Sequence, residues 1–193
     1  MSDPMTISLS ERAAALLHPA AFHDPAVVAV NPDLVPKEHG IYGWWFDAAP
    51  PGVSAEGTIE VDGRRLLYVG ICPNGSNPLS ERSLRHRMKE HCRGPIRSST
   101  LRRTLVALLG DHLALRVVRS PRSKLILEGD GETRLSHWMH EHLRVAWMVH
   151  TQPWTLETEL IHSIRLPLNI MGSRNPDRAL MDRRKLLGGL GRS

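Results

Sequence analysis

The chain is poor in cysteine and has no long apolar run, and each lack excludes a class of protein. Its 193 residues include only Cys72 and Cys92. Their spacing is not that of a zinc ribbon, and so few cysteines suit a reducing compartment. No stretch approaches the roughly 20 apolar residues that a membrane-spanning helix needs. The first residues, with Asp3 and Glu11, contain no signal-type apolar core, so a cytoplasmic location is the expectation. Internal repeats are also missing. What remains, 41% hydrophobic and 23% charged residues, is the composition of a globular chain. Its length suits one domain with extensions.

The charge is informative. A formal net charge of +5 and a pI near 9.8 favour a polyanionic partner, because Lys and Arg displace counterions from a phosphate backbone. The cations are clustered. Arg82, Arg85, Arg87, Lys89, Arg93, Arg97, Arg102 and Arg103 follow one another with Glu90 the only acid among them. Such a block reads as an electrostatic footprint for nucleic acid.

Taken in order, residues 1–36 form a lead-in with one helical candidate, Leu9 to Leu17, then a Pro- and Ala-rich passage. Gly40 to Phe46 and Leu66 to Ile71 are strand-like, aromatic and β-branched runs bounded by turn formers. Between them Thr58 to Val61 forms a small extra strand turned by Asp62-Gly63, so the core is expected to begin as an antiparallel meander. Leu84 and Met88 mark a basic helix capped by Ser80 or Ser83 and stopped by Gly94-Pro95. Ser99 or Thr100 opens a second helix, Leu101 to Leu109. Leu113 to Val118 reads as a strand, Glu128 to Glu132 as a polar loop, Ser136 to His142 as a short helix and Leu143 to Val149 as a third main strand. Thr155 is the expected cap of a helix that Pro167 forbids beyond Arg165. A basic helical tail, Arg178 to Leu187, closes the pattern before a Gly-rich end. Mixed elements without βαβ alternation predict an α+β fold, a small, mainly antiparallel sheet flanked by helices.

Five motifs stand in one order: Gly40-Ile41-Tyr42, Tyr68-Val69-Gly70, Arg87 four residues before His91, Glu157 before Leu160-Ile161, and Pro167 two before Asn169. This set resembles the GIY-YIG nuclease family, over about residues 39–170. Residues 37–172 are then the nuclease-like domain, with 1–36 an N-terminal extension and 173–193 a basic C-terminal tail. The resemblance implies hydrolysis of DNA phosphodiesters with one divalent metal, Mg²⁺ or Mn²⁺. Attack on a phosphate asks for such residue types, namely a base for water, cations for the developing charge and a metal at the leaving oxygen.

By similarity, Tyr42 deprotonates the water and Tyr68 hydrogen-bonds beside it. A phenol has a pKa near ~10, so Tyr42 acts as a base only if a metal-bound water or a neighbouring cation helps. Arg87 clamps the scissile phosphate bidentately. His91, on the same helical face, assists Tyr42. Glu157 is the sole carboxylate on the metal, preferred to Glu159 because it stands twelve residues before Asn169. Asn169 holds the site or its backbone through its amide. Gly40 and Gly70 allow backbone or DNA to approach closely, and Arg85, Lys89 and Arg93 contact the nucleic acid.

Each residue alone has a blander account. The tyrosines are half-buried strand residues, Arg87 a solvated cation, His91 structural, and Glu157 favoured by the helix macrodipole. Their conjunction favours the nuclease. His137, His140 and His142 lack a partner at ligand spacing. Cys92 has no acyl-transfer companions. The five tryptophans are core and edge anchors. About sixty residues separate His91 from Glu157, and no recognisable DNA-recognition domain is attached. The alternatives are a non-cleaving nucleic-acid-binding module of the same fold, and a nuclease working as a homodimer or within a larger complex.

Overall fold

The computed structural model of the chain describes residues 8–75, 77, 79–170, 172–173 and 176–189. In chain order the helices are α1 (Leu9–Arg12), α2 (Ala14–Leu17), α3 (Pro25–Val30), α4 (Leu84–Arg93), α5 (Thr100–Leu109), α6 (Gly131–His142), α7 (Pro153–Ser163) and α8 (Arg178–Gly189). The strands are β1 (Gly40–Phe46), β2 (Glu60–Val61), β3 (Arg64–Cys72), β4 (Val117–Arg119), β5 (Leu125–Leu127) and β6 (Leu143–Val149). The fold is α+β, as the sequence predicts.

β1 is the axis of the molecule. All seven of its residues are buried. It pairs antiparallel with β3 on one side and β6 on the other, in the order β2-β3-β1-β6. A strand covered on both faces reads as a continuous apolar run, which is why Gly-Ile-Tyr-Gly-Trp-Trp-Phe lacks polar alternation. Register places Tyr42 beside Gly70 and Trp44 beside Tyr68, and it slips between Trp44 and Trp45, where β3 has one extra residue, Leu67. Such a bulge bends the strand locally.

Side-chain alternation on β1 divides the core in two. Tyr42, Trp44 and Phe46 face the cluster formed with Leu84, Met88 and Cys92 of α4, Leu105 of α5 and Met139 of α6. Ile41 and Trp45 face the other cluster, with Leu16 of α2 and Leu156 and Leu160 of α7. Trp44, Trp45 and Trp138 are buried, whereas Trp147 and Trp154 are half-buried. Among the described residues no helix is long and apolar enough to cross a membrane.

Several expectations change. The expected meander gives way to direct pairing of β1 with β3, since the long connection after Phe46 carries β2 to the outer edge of β3. The single helix from Leu9 to Leu17 is two short ones broken at Ala13. The Pro- and Ala-rich passage contains α3, with Pro25 at its first position and the Asp24 carboxylate accepting from the Ala26 amide. The strand expected from Leu113 starts only at Val117 and pairs with β5 in a separate hairpin.

The Glu128 to Glu132 loop is half helix. α6 starts at Gly131, five residues before the expected Ser136, because Gly131 packs on Leu127 and the Glu132 carboxylate binds the Ile96 amide at 2.9 Å. Ser136 lies inside the helix and donates to the Glu132 carbonyl. Likewise α7 starts at Pro153, so Thr155 is internal and donates to the Gln152 carbonyl rather than capping. α8 runs on through Gly188 and Gly189, past the expected end at Leu187, and residues 190–193 lie outside the described residues.

Candidate active site

Tyr42 projects from the middle of β1 toward α4. Its ring lies directly over Gly70 of the neighbouring strand, where an added Cβ would sit 2.7 Å from Tyr42 Cζ. Only a residue without a side chain leaves room for that ring. α4 is built to meet it. Leu84, Met88 and Cys92 bury one stripe, which turns His91 and Arg87 toward the sheet.

His91 is fully buried, and its Nε2 lies 2.8 Å from the Tyr42 hydroxyl. Its Nδ1 lies 2.8 Å from Oγ of Ser99. Ser99 is itself fully buried at the N-cap of α5 and accepts from the Arg102 amide at 3.1 Å. The Ser99 hydroxyl hydrogen therefore finds its acceptor in Nδ1, and Nε2–H is left to donate to Tyr42. Arg87 Nε also donates to the Tyr42 oxygen, at 3.0 Å. Two N–H groups thus converge on one phenol oxygen.

Arg87 is held in turn. Its Nη1 donates to the Ser98 carbonyl at 2.9 Å and to the Glu90 carboxylate at 3.0 Å. Nη2 takes part in none of these three bonds, and Tyr68 is a further partner of the Arg87 side chain.

These side chains open on a cleft of about 420 Å³, lined also by Tyr68, Gly70, Asn74, Glu157 and Asn169. Asn169 accepts from the Val69 amide and donates to the Val69 carbonyl, both at 2.8 Å, so it pins β3 across a hundred residues of chain. Glu157 is half-buried on the first turns of α7 and lines the same cleft.

The cleft disfavours negative charge except where a cation compensates. Burial pushes Tyr42 well above its usual phenol range, with Arg87 pulling the other way. Tyr68 is raised for the same reason and opposed by the same arginine. Burial lifts the Glu157 carboxyl to about 7 against the pull of Arg87. His91 is driven well below its usual value, first by burial and then by Arg87 and Arg102, so it is a neutral imidazole. Burial works against the charge on Arg87, but Tyr42, Glu90 and Tyr68 more than offset it.

Tyr42, Tyr68, Gly70, Arg87, Glu157 and Asn169 all line the cleft, and His91 backs it. Other expected residues lie elsewhere. Gly40 is buried where a Cβ would meet the Met148 carbonyl and Leu84, a packing role. Arg85 donates to the Val35 carbonyl at 2.8 Å and pairs with Asp33, tying down the segment before β1. Lys89 and Arg93 line a separate surface hollow with Arg82, His86 and Arg97. Arg102 leaves the cationic footprint altogether. It is fully buried, donating to the His91 carbonyl at 3.2 Å and to the Glu132 carboxylate at 3.0 Å. Cys92 is buried, its thiol pushed up to about 12 by burial, which disqualifies it as a nucleophile. No three metal-capable side chains cluster among the described residues, the His137–His142 stretch included.

One arginine, Arg87, and one carboxylate, Glu157, thus line the same cleft. The family comparison specifies the class: residues 40–186 match the GIY-YIG catalytic domain, and the chain belongs to that family. Its general class is that of a nuclease acting on nucleic acid. Comparison with curated proteins and with solved structures returned no match.

Proposed function

We propose that the protein is a metal-dependent DNA endonuclease, in which Tyr42 is the general base, Arg87 the phosphate clamp and Glu157 the metal ligand. The observation that carries this reading is the convergence of Arg87 Nε and His91 Nε2 on the Tyr42 oxygen, at 3.0 and 2.8 Å. Two N–H donors stabilise a phenolate over a phenol. Once Tyr42 has lost its own proton to solvent, they leave a lone pair of its oxygen free toward the cleft to take a proton from the attacking water.

Arg87 serves both partners of the reaction. Through Nε it lowers the basicity of Tyr42, and through Nη2, which takes no part in the bonds to Tyr42, Ser98 and Glu90, it holds a phosphate oxygen. Its Nη1, fixed to Ser98 and Glu90, keeps the guanidinium plane in place. His91 stays neutral and supports Tyr42 as a hydrogen-bond donor, not as a proton store, because burial and two arginines oppose its protonation. Tyr68 borders the cleft as a second phenol beside the water.

The donor set fits a hard divalent cation such as Mg²⁺ or Mn²⁺. One carboxylate, Glu157, combined with substrate oxygens and water, is how such an ion is commonly held. Burial that lifts Glu157 to about 7 is relieved by a cation beside it. When bound, the metal would stabilise the charge on the leaving oxygen.

The test is cleavage of supercoiled, branched and single-stranded DNA with Mg²⁺ or Mn²⁺, beside Glu157→Ala. Cutting that disappears in that variant supports the enzyme. Binding without cutting on every form would replace it with a DNA-binding module of the same fold.

A further inference from the structure

α8 presents a cation to the body of the protein. Leu180, Arg184 and Leu187 are spaced by four and three residues and so share one helical face. On that face Leu180 is 2% exposed and Leu187 packs against the core. Arg184 lies between them, half-buried, while Asp182, Arg183, Lys185 and Leu186 are exposed.

The helix that α8 packs against is α5. On α5, Arg103 stands one turn after Thr100, which lines the catalytic cleft. Arg103 is also half-buried, and its Nε is buried without a hydrogen-bond partner among the described residues. Neither guanidinium has a carboxylate among those residues, unlike Arg87 and Arg102. The two are close. Burial depresses the pKa of Arg184, and the charge of Arg103 depresses it further, with Tyr68 acting in the opposite direction. Tyr68 in turn is raised by burial and pulled back by both Arg87 and Arg184, and Thr100, one turn before Arg103, lines the cleft.

Two like charges held half-buried between packed helices, with no counter-charge, form a site for an anion. We propose that Arg103 and Arg184 make a second phosphate site, which takes a backbone phosphate of the DNA strand cut at Arg87. The proposal rests on the nuclease reading of the cleft. Guanidinium forks match phosphate oxygens, and a phosphodiester strand supplies phosphates on both sides of the scissile one. α8 is then part of the substrate surface.

The experiment is equilibrium binding of a fluorescently labelled DNA duplex, in EDTA so that no cutting occurs, over a series of KCl concentrations. Wild type is compared with Arg103→Gln, Arg184→Gln, the double variant and Arg184→Lys. Each Gln variant is expected to weaken binding severalfold, and the slope of log affinity against log salt to fall by about one per lost contact. Arg184→Lys should keep the wild-type slope. If the double variant does not fold, the single variants carry the test. Gln variants with wild-type affinity and slope would overturn the second site while leaving the nuclease reading intact. Wild-type protein that neither binds nor cuts DNA would overturn both.

Discussion

His91 holds the Tyr42 hydroxyl at 2.8 Å through one ring nitrogen and the Ser99 hydroxyl at 2.8 Å through the other. Ser99 thereby sets which nitrogen bears the proton, and it does so while capping α5. Ser99→Ala should lower cleavage by about tenfold to a hundredfold and shift the pH–rate profile upward, because Tyr42 loses a donor that favours its phenolate. The lost cap should cost about 1 kcal/mol of stability. Ser99→Thr keeps the hydroxyl and should restore most of the rate. A pH–rate profile for Ser99→Ala that overlays the wild type would leave only the cap.

Gly70→Ala tests the seat of the Tyr42 ring. The new methyl would meet Tyr42 Cζ at 2.7 Å, against a ring held by Arg87 and His91. Overpacking of this kind costs about 1–3 kcal/mol. Cleavage should fall by more than stability alone explains, since the displaced hydroxyl leaves its donors. Turnover measured well below the melting temperature distinguishes the two.

If Arg87 clamps the phosphate as proposed, Arg87→Ala removes that clamp along with a donor to Tyr42, and turnover should drop by about a hundredfold to a thousandfold. It also strips the Ser98 carbonyl and Glu90 of a partner, and melting should register about 1–3 kcal/mol. Glu157→Gln should abolish turnover in Mg²⁺ and preserve DNA binding. Unchanged rates in Mg²⁺ would place the metal elsewhere.

His91 links stability to pH. Its folded pKa lies well below the unfolded value near 6.5, so the unfolded chain binds the proton more readily. Above 6.5 its contribution is fully present, and below 6.5 stability is lost as pH falls toward the folded pKa. His91→Gln should flatten that acid-side loss in urea melts taken at a series of pH values. An equally steep fall in the variant would assign the effect to other groups.

Glu132→Gln is the test of the buried cation. Arg102 is fully enclosed, and Glu132 is the only carboxylate that meets it among the described residues. Leaving such a charge unpaired costs about 3–5 kcal/mol. Chemical denaturation should show a loss in that range.

Much of the site was legible because its chemistry sits in short, ordered motifs. The two tyrosines, Arg87 with His91, Glu157 and Asn169, the residues that carry the family resemblance, line or back one cleft. Ser99 was visible only as a helix cap, since nothing local announces that the next helix will bring its hydroxyl to His91. Arg102 counted as surface charge for the same reason. Its partner Glu132 lies thirty residues away, in a stretch that reads as loop until Gly131 packs on Leu127. Strand β6 showed its full extent in apolar content, whereas α3 hid behind Pro25, a residue that discourages helix readings although it is favoured at a first turn.

The position of β1 between β3 and β6 has a consequence for motion. Amide hydrogens of a strand bonded on both sides exchange only in rare, large-scale openings. Tyr42 is therefore carried on the slowest-breathing part of the chain. The carboxylate of Glu157 comes instead from α7, on the far side of the cleft. On the proposed reading of the site, the group that takes the proton from water would sit on the part of the chain that moves least.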